Sequence, residues 1–274
     1  MAPMQVRMPA VAGRFYPLSA VRLAHDLDEY LAPTSTECAR GAMGCVVPHA
    51  GYVYSGRVAG SVYRRLPPCS CFVVIGPNHY GQGAPLAIMS DGAWRTPLGE
   101  AVIHHGLARM IQRHCAGLAE DASAHAGEHS VEVQIPFLQR RMAGFNFVPI
   151  VVGAAGYETL VDLGHGMARA IGEFAGSTVI IASSDMNHYE PDAITRAKDA
   201  NAIGRILALD PRGLYDVVRW ESISMCGVGP TIAMLTAVED LGATHAVLEK
   251  YATSADAGGE PESVVGYAGI VVQT

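Results

Sequence analysis

The sequence has few charged residues and no strongly basic stretch. Only 16% of its 274 residues are Asp, Glu, Lys or Arg, and the formal net charge is −7. A protein that binds nucleic acid needs a basic patch for the phosphate backbone. No run of five or more basic residues is present, so the composition argues against a nucleic-acid partner.

Long apolar runs and disulfide patterns are missing as well. No apolar run reaches the ~18 residues needed to span a bilayer, and the first nine residues do not read as a signal peptide. The six cysteines are not spaced as a disulfide framework, which a chain of this size does not need. We therefore expect no membrane association and a reducing, cytoplasmic location.

Four common catalytic and nucleotide-binding motifs are absent. There is no GxxxxGK[ST] phosphate loop, no GxGxxG after a strand, no GxSxG elbow and no HExxH pair. Their absence argues against the P-loop, Rossmann dinucleotide, elbow-type serine hydrolase and HExxH zinc classes.

The apolar pattern predicts an α/β protein. Half of the residues are apolar, and segments with strand character alternate with helical stripes along nearly the whole chain. Several strands are apolar on both faces, which indicates a central mixed, largely parallel β-sheet with helices on both faces. No linker or repeat interrupts the pattern, so we expect residues 1–274 to form a single domain.

Three of the predicted strands are each followed by a histidine. Gly44–Val47 leads to His49, Phe72–Ile75 leads to His79, and Val179–Ala182 leads to His188. Ligands of open α/β sheets bind outside the carboxyl ends of the strands. The pattern predicts a site made from these three loops, although a lone histidine is more often structural than functional.

Two further residues could take part in such a site. Cys226 directly precedes the last long predicted helix, and a helix N-terminus lowers the pKa of a thiol toward the metal-binding thiolate. A buried, inert cysteine is the alternative. Asp185 lies three residues before His188 and could form a proton-transfer pair with it, or it could cap a turn.

A polar cluster precedes another predicted helix. Residues 116–129 are small and polar and predict an exposed loop that ends at Glu128 and His129. We expect His129 and Tyr52 to line the pocket and contact substrate. Glu128 and Ser130 are expected to be structural, Ser130 as part of a helix cap.

Six short segments, in this order, resemble the Memo family, known in prokaryotes as AmmeMemoRadiSam system protein B. They are Ala12-Gly13-Arg14-Phe15-Tyr16-Pro17, Pro48-His49-Ala50-Gly51-Tyr52, Gly76-Pro77-Asn78-His79, Glu128-His129-Ser130-Val131-Glu132, Ser183-Ser184-Asp185-Met186-Asn187-His188 and Cys226-Gly227. The resemblance covers the chain from about Arg7 to its end. It implies a fold similar to that of the class III extradiol ring-cleavage dioxygenases, which bind non-haem iron with two histidines and a carboxylate.

The resemblance also implies roles for individual residues. His49 and His79 match the two imidazole ligands of a mononuclear iron or copper ion, and Cys226 matches the Memo cysteine that replaces the dioxygenase carboxylate. His188 matches the acid/base histidine, with Asp185 in support. A thiolate softens the site and favours a different redox role or copper, so the resemblance does not imply ring cleavage itself.

Three functional hypotheses follow. The first is a metal-dependent redox protein, a dioxygenase-like oxidoreductase that serves a modification system with AMMECR-like and radical SAM proteins, as the family name implies. The second is an adaptor that binds a phosphopeptide or partner protein and keeps the pocket without chemistry. The third, a zinc hydrolase, has suitable ligands but no obvious general base.

Overall fold

A β-sheet of twelve strands forms the centre of the molecule. The computed structural model describes residues 5–32 and 41–274. The strands of these described residues are β1 Val6–Arg7, β2 Ala42–Val47, β3 Cys71–Pro77, β4 Leu86–Ile88, β5 Ala93–Thr96, β6 Gly99–Ile103, β7 Ala119–Glu120, β8 Asn146–Val152, β9 Thr178–Ser183, β10 His188–Glu190, β11 His245–Thr253 and β12 Val264–Gln273.

The middle of the sheet is parallel, and an antiparallel pairing adjoins it on each side, β5 with β6 and β12 with β2. The main path runs β1-β5-β6-β8-β3-β9-β2-β12-β10. Neighbouring strands from β6 to β2 are parallel, whereas β12 pairs antiparallel with β2, β10 and β11. Strand β4 pairs antiparallel with β8 and parallel with β7. The predicted mixed, largely parallel sheet is therefore confirmed.

Nine α-helices of the described residues surround this sheet. They are α1 Ala20–Leu31, α2 Tyr52–Tyr63, α3 His105–His114, α4 Ser123–Ala126, α5 Ile135–Arg141, α6 Tyr157–Glu173, α7 Asp192–Leu207, α8 Pro211–Trp220 and α9 Val228–Asp240. Helix α9 contacts β2, β3, β8 and β9, and α6 and α8 pack against it. Helix α2 contacts β2, β11 and β12, and α1 and α5 pack against it. Helices cover both faces, as predicted. None of the helices described is long and apolar enough to cross a membrane.

The central strands are buried on both faces. All seven residues of β3 are buried, as are the last four of β2 and the last five of β9. Because burying a Val or Ile side chain contributes roughly 1.5–3 kcal/mol, a shift in register would cost many such contacts. The residues that follow these strands are consequently held in fixed positions.

One buried carboxylate attaches the N-terminal segment to the body. Glu132, 1% exposed, accepts hydrogen bonds from the Arg7 guanidinium at 2.6 Å and from the Tyr16 hydroxyl at 2.7 Å. It also accepts from the backbone N–H groups of Ala10 and Val11. A buried ion pair with its remaining acceptors satisfied holds a segment in one place, and residues 6–16 therefore lie against the sheet edge.

The predicted exposed loop at 116–129 is wrong. The segment contains β7 and α4, and His125 and Glu128 within it are 0% and 1% exposed. Small residues such as Ala124 allow the chain to pack closely, and the Glu128 carboxylate near its end is buried because backbone N–H groups satisfy it, as described below.

Candidate metal centre

Three adjacent strands place the predicted site residues at one edge of the sheet. Strands β3, β9 and β2 are parallel neighbours, so their carboxyl ends meet. His79, Asp185 and His49 each follow the last residue of one of these strands by two positions. The chain order of the strands hides this proximity, which the topology of the sheet creates.

These side chains line a cavity of about 600 Å³. Its lining includes Phe15, His49, His79, His129, Asp185, His188 and Cys226. Six of the seven residues predicted for the site are thus together, although the sequence assigned them to different roles. Tyr52, the seventh, is not among the described residues that line this cavity.

Three imidazoles form a tight cluster in the cavity. One ring nitrogen of each of His49, His79 and His129 lies within 4.8 Å of the other two. The ring centroid of His79 is 4.6 Å from that of His129 and 5.1 Å from that of His49. Such a group can hold one metal ion.

The hydroxyl of Ser183 determines which nitrogen of His49 faces the cavity. Ser183 Oγ donates its proton to the Ser130 carbonyl at 2.6 Å and accepts a hydrogen bond from Gln134 Nε2 at 2.8 Å. Since its single proton is already used, it must accept from His49 Nδ1 at 3.0 Å. The network assigns the Nδ1–H tautomer and leaves the Nε2 lone pair of His49 available.

Glu128 orients His79 in the same way. Its Oε1 lies 2.9 Å from His79 Nδ1, and its Oε2 accepts from the backbone N–H of His79 at 2.7 Å. Burial alone would raise the pKa of Glu128, but the hydrogen bonds from His79 and from the backbone of Ser130 outweigh it and lower that pKa to about 2. An ionised acceptor at Nδ1 fixes the ring and leaves Nε2 for a ligand bond.

Two of the clustered imidazoles, those of His49 and His129, are neutral at pH 7, as a metal-binding histidine must be. Burial lowers the pKa of His49 far below its ordinary value, and the neighbouring imidazoles lower it further. Burial likewise lowers the pKa of His129 to about 4, although the charge of Glu128 opposes this. The lone pairs are therefore free at neutral pH without first losing a proton.

Cys226 adjoins the cluster on the side of His49. Its Sγ lies 3.2 Å from His49 Nε2 and 3.7 Å from the Asp185 carbonyl oxygen. The expected low thiol pKa is wrong for the metal-free protein, because burial and the charge of Asp185 raise the pKa and outweigh the hydrogen bonds at the start of α9. A bound cation would reverse this balance, since coordination deprotonates a thiol.

Asp185 and His188 face the cavity but hold different partners. Asp185 Oδ1 accepts the backbone N–H groups of His49, at 2.8 Å, and of Ala50. His188 Nδ1 donates to the Ser224 carbonyl at 2.9 Å, which leaves its Nε2 as an acceptor. The carboxylate thus positions the backbone of His49, and His188 presents a basic nitrogen to the cavity.

Phe15 and His129 form one wall of the cavity. Their ring centroids lie 4.6 Å apart, and the backbone carbonyl of Phe15 accepts from Tyr52 N–H at 2.8 Å. His129 Nδ1 is buried and, among the described residues, has no hydrogen-bond partner; it lies 3.3 Å from a Glu128 oxygen without suitable geometry. Of the three imidazoles, His129 is thus the one whose second nitrogen is not held.

The position of Tyr52 does not support the predicted role in substrate binding. Its side chain is 3% exposed, its hydroxyl donates to the Val133 carbonyl at 2.6 Å, and its ring packs against Tyr16 and Phe137. As the first residue of α2, Tyr52 follows the site in sequence, but its side chain lies in this aromatic cluster. Its contribution to the site is the backbone hydrogen bond to Phe15.

Sequence reasoning missed the residues that orient the imidazoles. Neither Ser183 nor Gln134 was predicted to orient an imidazole, and Glu128 was interpreted as structural. The sequence did contain a signal for Glu128, because it directly precedes the candidate residue His129. A carboxylate is a common hydrogen-bond acceptor for the second ring nitrogen of a metal-binding histidine. No local signal marked Gln134, which approaches Ser183 from a distant part of the chain.

Comparison with known proteins adds an independent finding. The family model described as "Memo-like protein" matches residues 7–271. The chain belongs to the Memo family. A MEMO1 family protein of Pyrobaculum arsenaticum is 44% identical, over 98% of this chain and 99% of the relative. One of Methanopyrus kandleri is 42% identical, over 97% of this chain and 98% of the relative.

A structural comparison shows the fold alone. An uncharacterized protein of Escherichia coli K12, JW3007, covers 84% of this chain and 99% of its own with a TM-score of 0.55 at 14% identity. The family match reaches from the N-terminal segment to β12. Every residue of the histidine cluster and Cys226 therefore lies inside the Memo-like region.

Proposed function

We propose that the protein is a metal-dependent redox protein in which His49, His79 and Cys226 hold one iron or copper ion. One observation carries the proposal: two clustered imidazoles have their Nδ1 atoms held by buried acceptors, so both can offer Nε2. When bound, iron or copper supplies one-electron chemistry, and a thiolate ligand suits the softer state of copper.

Cys226 is favoured over His129 as the third ligand. Metal-binding histidines almost always donate their second nitrogen to a fixed acceptor, and among the described residues His129 Nδ1 has none. The Cys226 sulphur instead lies 3.2 Å from the nitrogen that His49 presents. In this proposal, His129 packs beside His79 and limits the space around the ion.

His188 and Asp185 move and place protons at the open side of the cavity. The Nε2 atom of His188 can accept a proton from a bound molecule, because Nδ1 is committed to the Ser224 carbonyl. Asp185 keeps the backbone of His49 in place through one oxygen. Burial raises the pKa of Asp185, although the backbone N–H groups of His49 and Ala50 oppose the shift.

Metal analysis of variants tests the ligand set. Purified without chelator, the natural protein should retain close to one equivalent of iron or copper, and Cys226→Ala should retain little. His129→Ala is the matched control and should retain metal. Stoichiometric metal in Cys226→Ala together with loss in His129→Ala would assign the third position to His129.

We also propose, from family membership, that AMMECR-like and radical SAM proteins are partners. The cavity rim offers an exposed aromatic contact, since Tyr189 is 77% exposed and lines the cavity. Pull-down with the protein and with a His49→Ala, His79→Ala double variant tests this. If the natural protein and the double variant both capture the partners, the result supports an adaptor surface separate from the metal centre. If the natural protein captures neither the AMMECR-like nor the radical SAM protein, the proposal is refuted.

A further inference from the structure

A second cavity lies behind Cys226. It has a volume of about 250 Å³ and is bounded by the end of β8 with the turn after it, by α8 and by the start of α9. Cys226 lines both this cavity and the one that holds the histidines. We refer to the smaller one, which includes Val152, Leu160, Val218 and Pro230, as the distal cavity.

The distal cavity combines an apolar interior with one cation, the solvent-exposed Arg219, which forms no ion pair within residues 5–32 and 41–274. Most of its lining is aliphatic or small, and the only charged side chain among the described lining residues is Arg219. The Arg219 guanidinium lies over the Tyr215 ring, 5.3 Å from its centroid. It forms no ion pair with a carboxylate of the described residues, whereas Arg212, the other arginine near this ring, is paired with Asp216.

An apolar cavity with a single oriented charge is the usual design of a small-molecule site. The aliphatic walls bury the apolar part of a ligand, and a guanidinium that stacks on an aromatic ring is pre-organised to bind an oxyanion. The volume fits a short chain or one ring rather than a peptide.

We propose that the distal cavity binds a small amphiphilic carboxylate, with its apolar part between β8, α8 and α9 and its carboxylate on Arg219. The apolar part of the ligand then lies close to Cys226, which lines the distal cavity and also the cavity with the histidines. The proposal does not depend on the metal, because none of the three clustered imidazoles lines the distal cavity.

Calorimetric titration of the metal-free protein tests the proposal. Octanoate should bind, octanol should bind more weakly and octylamine should not bind, because only octanoate has a group for Arg219. Removing one solvent-accessible charge contact in Arg219→Ala should weaken octanoate binding about fivefold. Arg212→Ala, which changes the paired arginine beside the same ring, should bind octanoate as the natural protein does.

A second variant tests the location of the apolar part. Ala155→Leu fills space at the wall of the distal cavity and should abolish octanoate binding while its thermal unfolding stays cooperative. Equal binding by Arg219→Ala and the natural protein would overturn the proposal, as would equal losses in Arg219→Ala and Arg212→Ala or equal affinity for octanoate and octylamine. Since metal retention is measured separately, these failures leave the assignment of the metal ligands untouched.

Discussion

Replacing Glu128 with glutamine should weaken metal binding through His79. The carboxylate is 1% exposed and accepts from His79 Nδ1, from the backbone N–H of His79, and from the backbone N–H groups of His129 and Ser130. One oxygen takes three of these donors and the other takes the His79 backbone. An amide has only one acceptor oxygen, so either orientation of the new glutamine side chain leaves a donor of His79 facing an NH₂ group.

The size of the effect follows from these contacts. A buried donor without an acceptor costs about 1–3 kcal/mol of stability. Losing the partner that orients a metal-binding histidine typically lowers metal affinity about 10–100-fold, which corresponds to roughly 1.4–2.7 kcal/mol. Glu128→Gln should therefore be less stable and should also bind metal more weakly in its folded form.

Cobalt(II) titration against a competing chelator, at pH 7 and well below the unfolding temperature, measures this affinity. Glu132→Gln is the matched control, because Glu132 is equally buried and also accepts four hydrogen bonds, none of them from a histidine. It should lose stability but keep its cobalt affinity. Unchanged affinity in Glu128→Gln, or an equal loss in both variants, would refute the role of Glu128 in orienting His79.

Three other changes have defined outcomes. Ser183→Ala removes the acceptor for His49 Nδ1 and should lower cobalt affinity about tenfold in the same titration. Burial raises the pKa of Asp199 from 3.8 to about 6, so its folded form binds the proton more tightly. Stability should fall by about 2 kcal/mol as pH rises from 3.8 to 6, and urea unfolding of Asp199→Asn should lack this decline; parallel curves would contradict it. Gly60→Ala would place a methyl group 2.2 Å from the Tyr30 carbonyl oxygen and should lower the free energy of unfolding by about 1–3 kcal/mol, whereas Gly172→Ala, with open space, should not.

Sequence patterns predicted the fold because the central strands are buried on both faces. Segments such as Phe72–Ile75 cannot lie on a solvated surface, so apolar runs that alternate with helical stripes indicate a covered parallel sheet. The same pattern placed His49 and His79 directly after strand ends. That β9 lies between β2 and β3 was not predictable from these runs, since the order of strands in a sheet depends on packing between distant segments.

The site was predicted less completely because side-chain direction is decided by tertiary packing. Tyr52 follows His49 closely in sequence, yet its ring lies in the aromatic cluster with Phe137. His129 was predicted to contact substrate, and the structure places it within the histidine cluster. The thiol pKa of Cys226 was predicted from the helix start alone, and the larger effect of burial becomes visible only in the folded chain.

The segment from Glu128 to Gln134 links the separate parts of the site. Its alternate residues are polar and buried, and each holds a different partner: Glu128 binds His79, Ser130 donates to the Pro77 carbonyl, Glu132 binds the N-terminal segment, and Gln134 donates to the Pro48 carbonyl and to Ser183. The loops after β2, β3 and β9 are therefore tied to one stretch of chain. Because burying four such groups without partners would cost several kcal/mol, the folded segment keeps these partners in place. Glu128 holds His79 directly and Gln134 holds the Ser183 hydroxyl that His49 contacts, so the fold itself pre-organises the candidate metal centre.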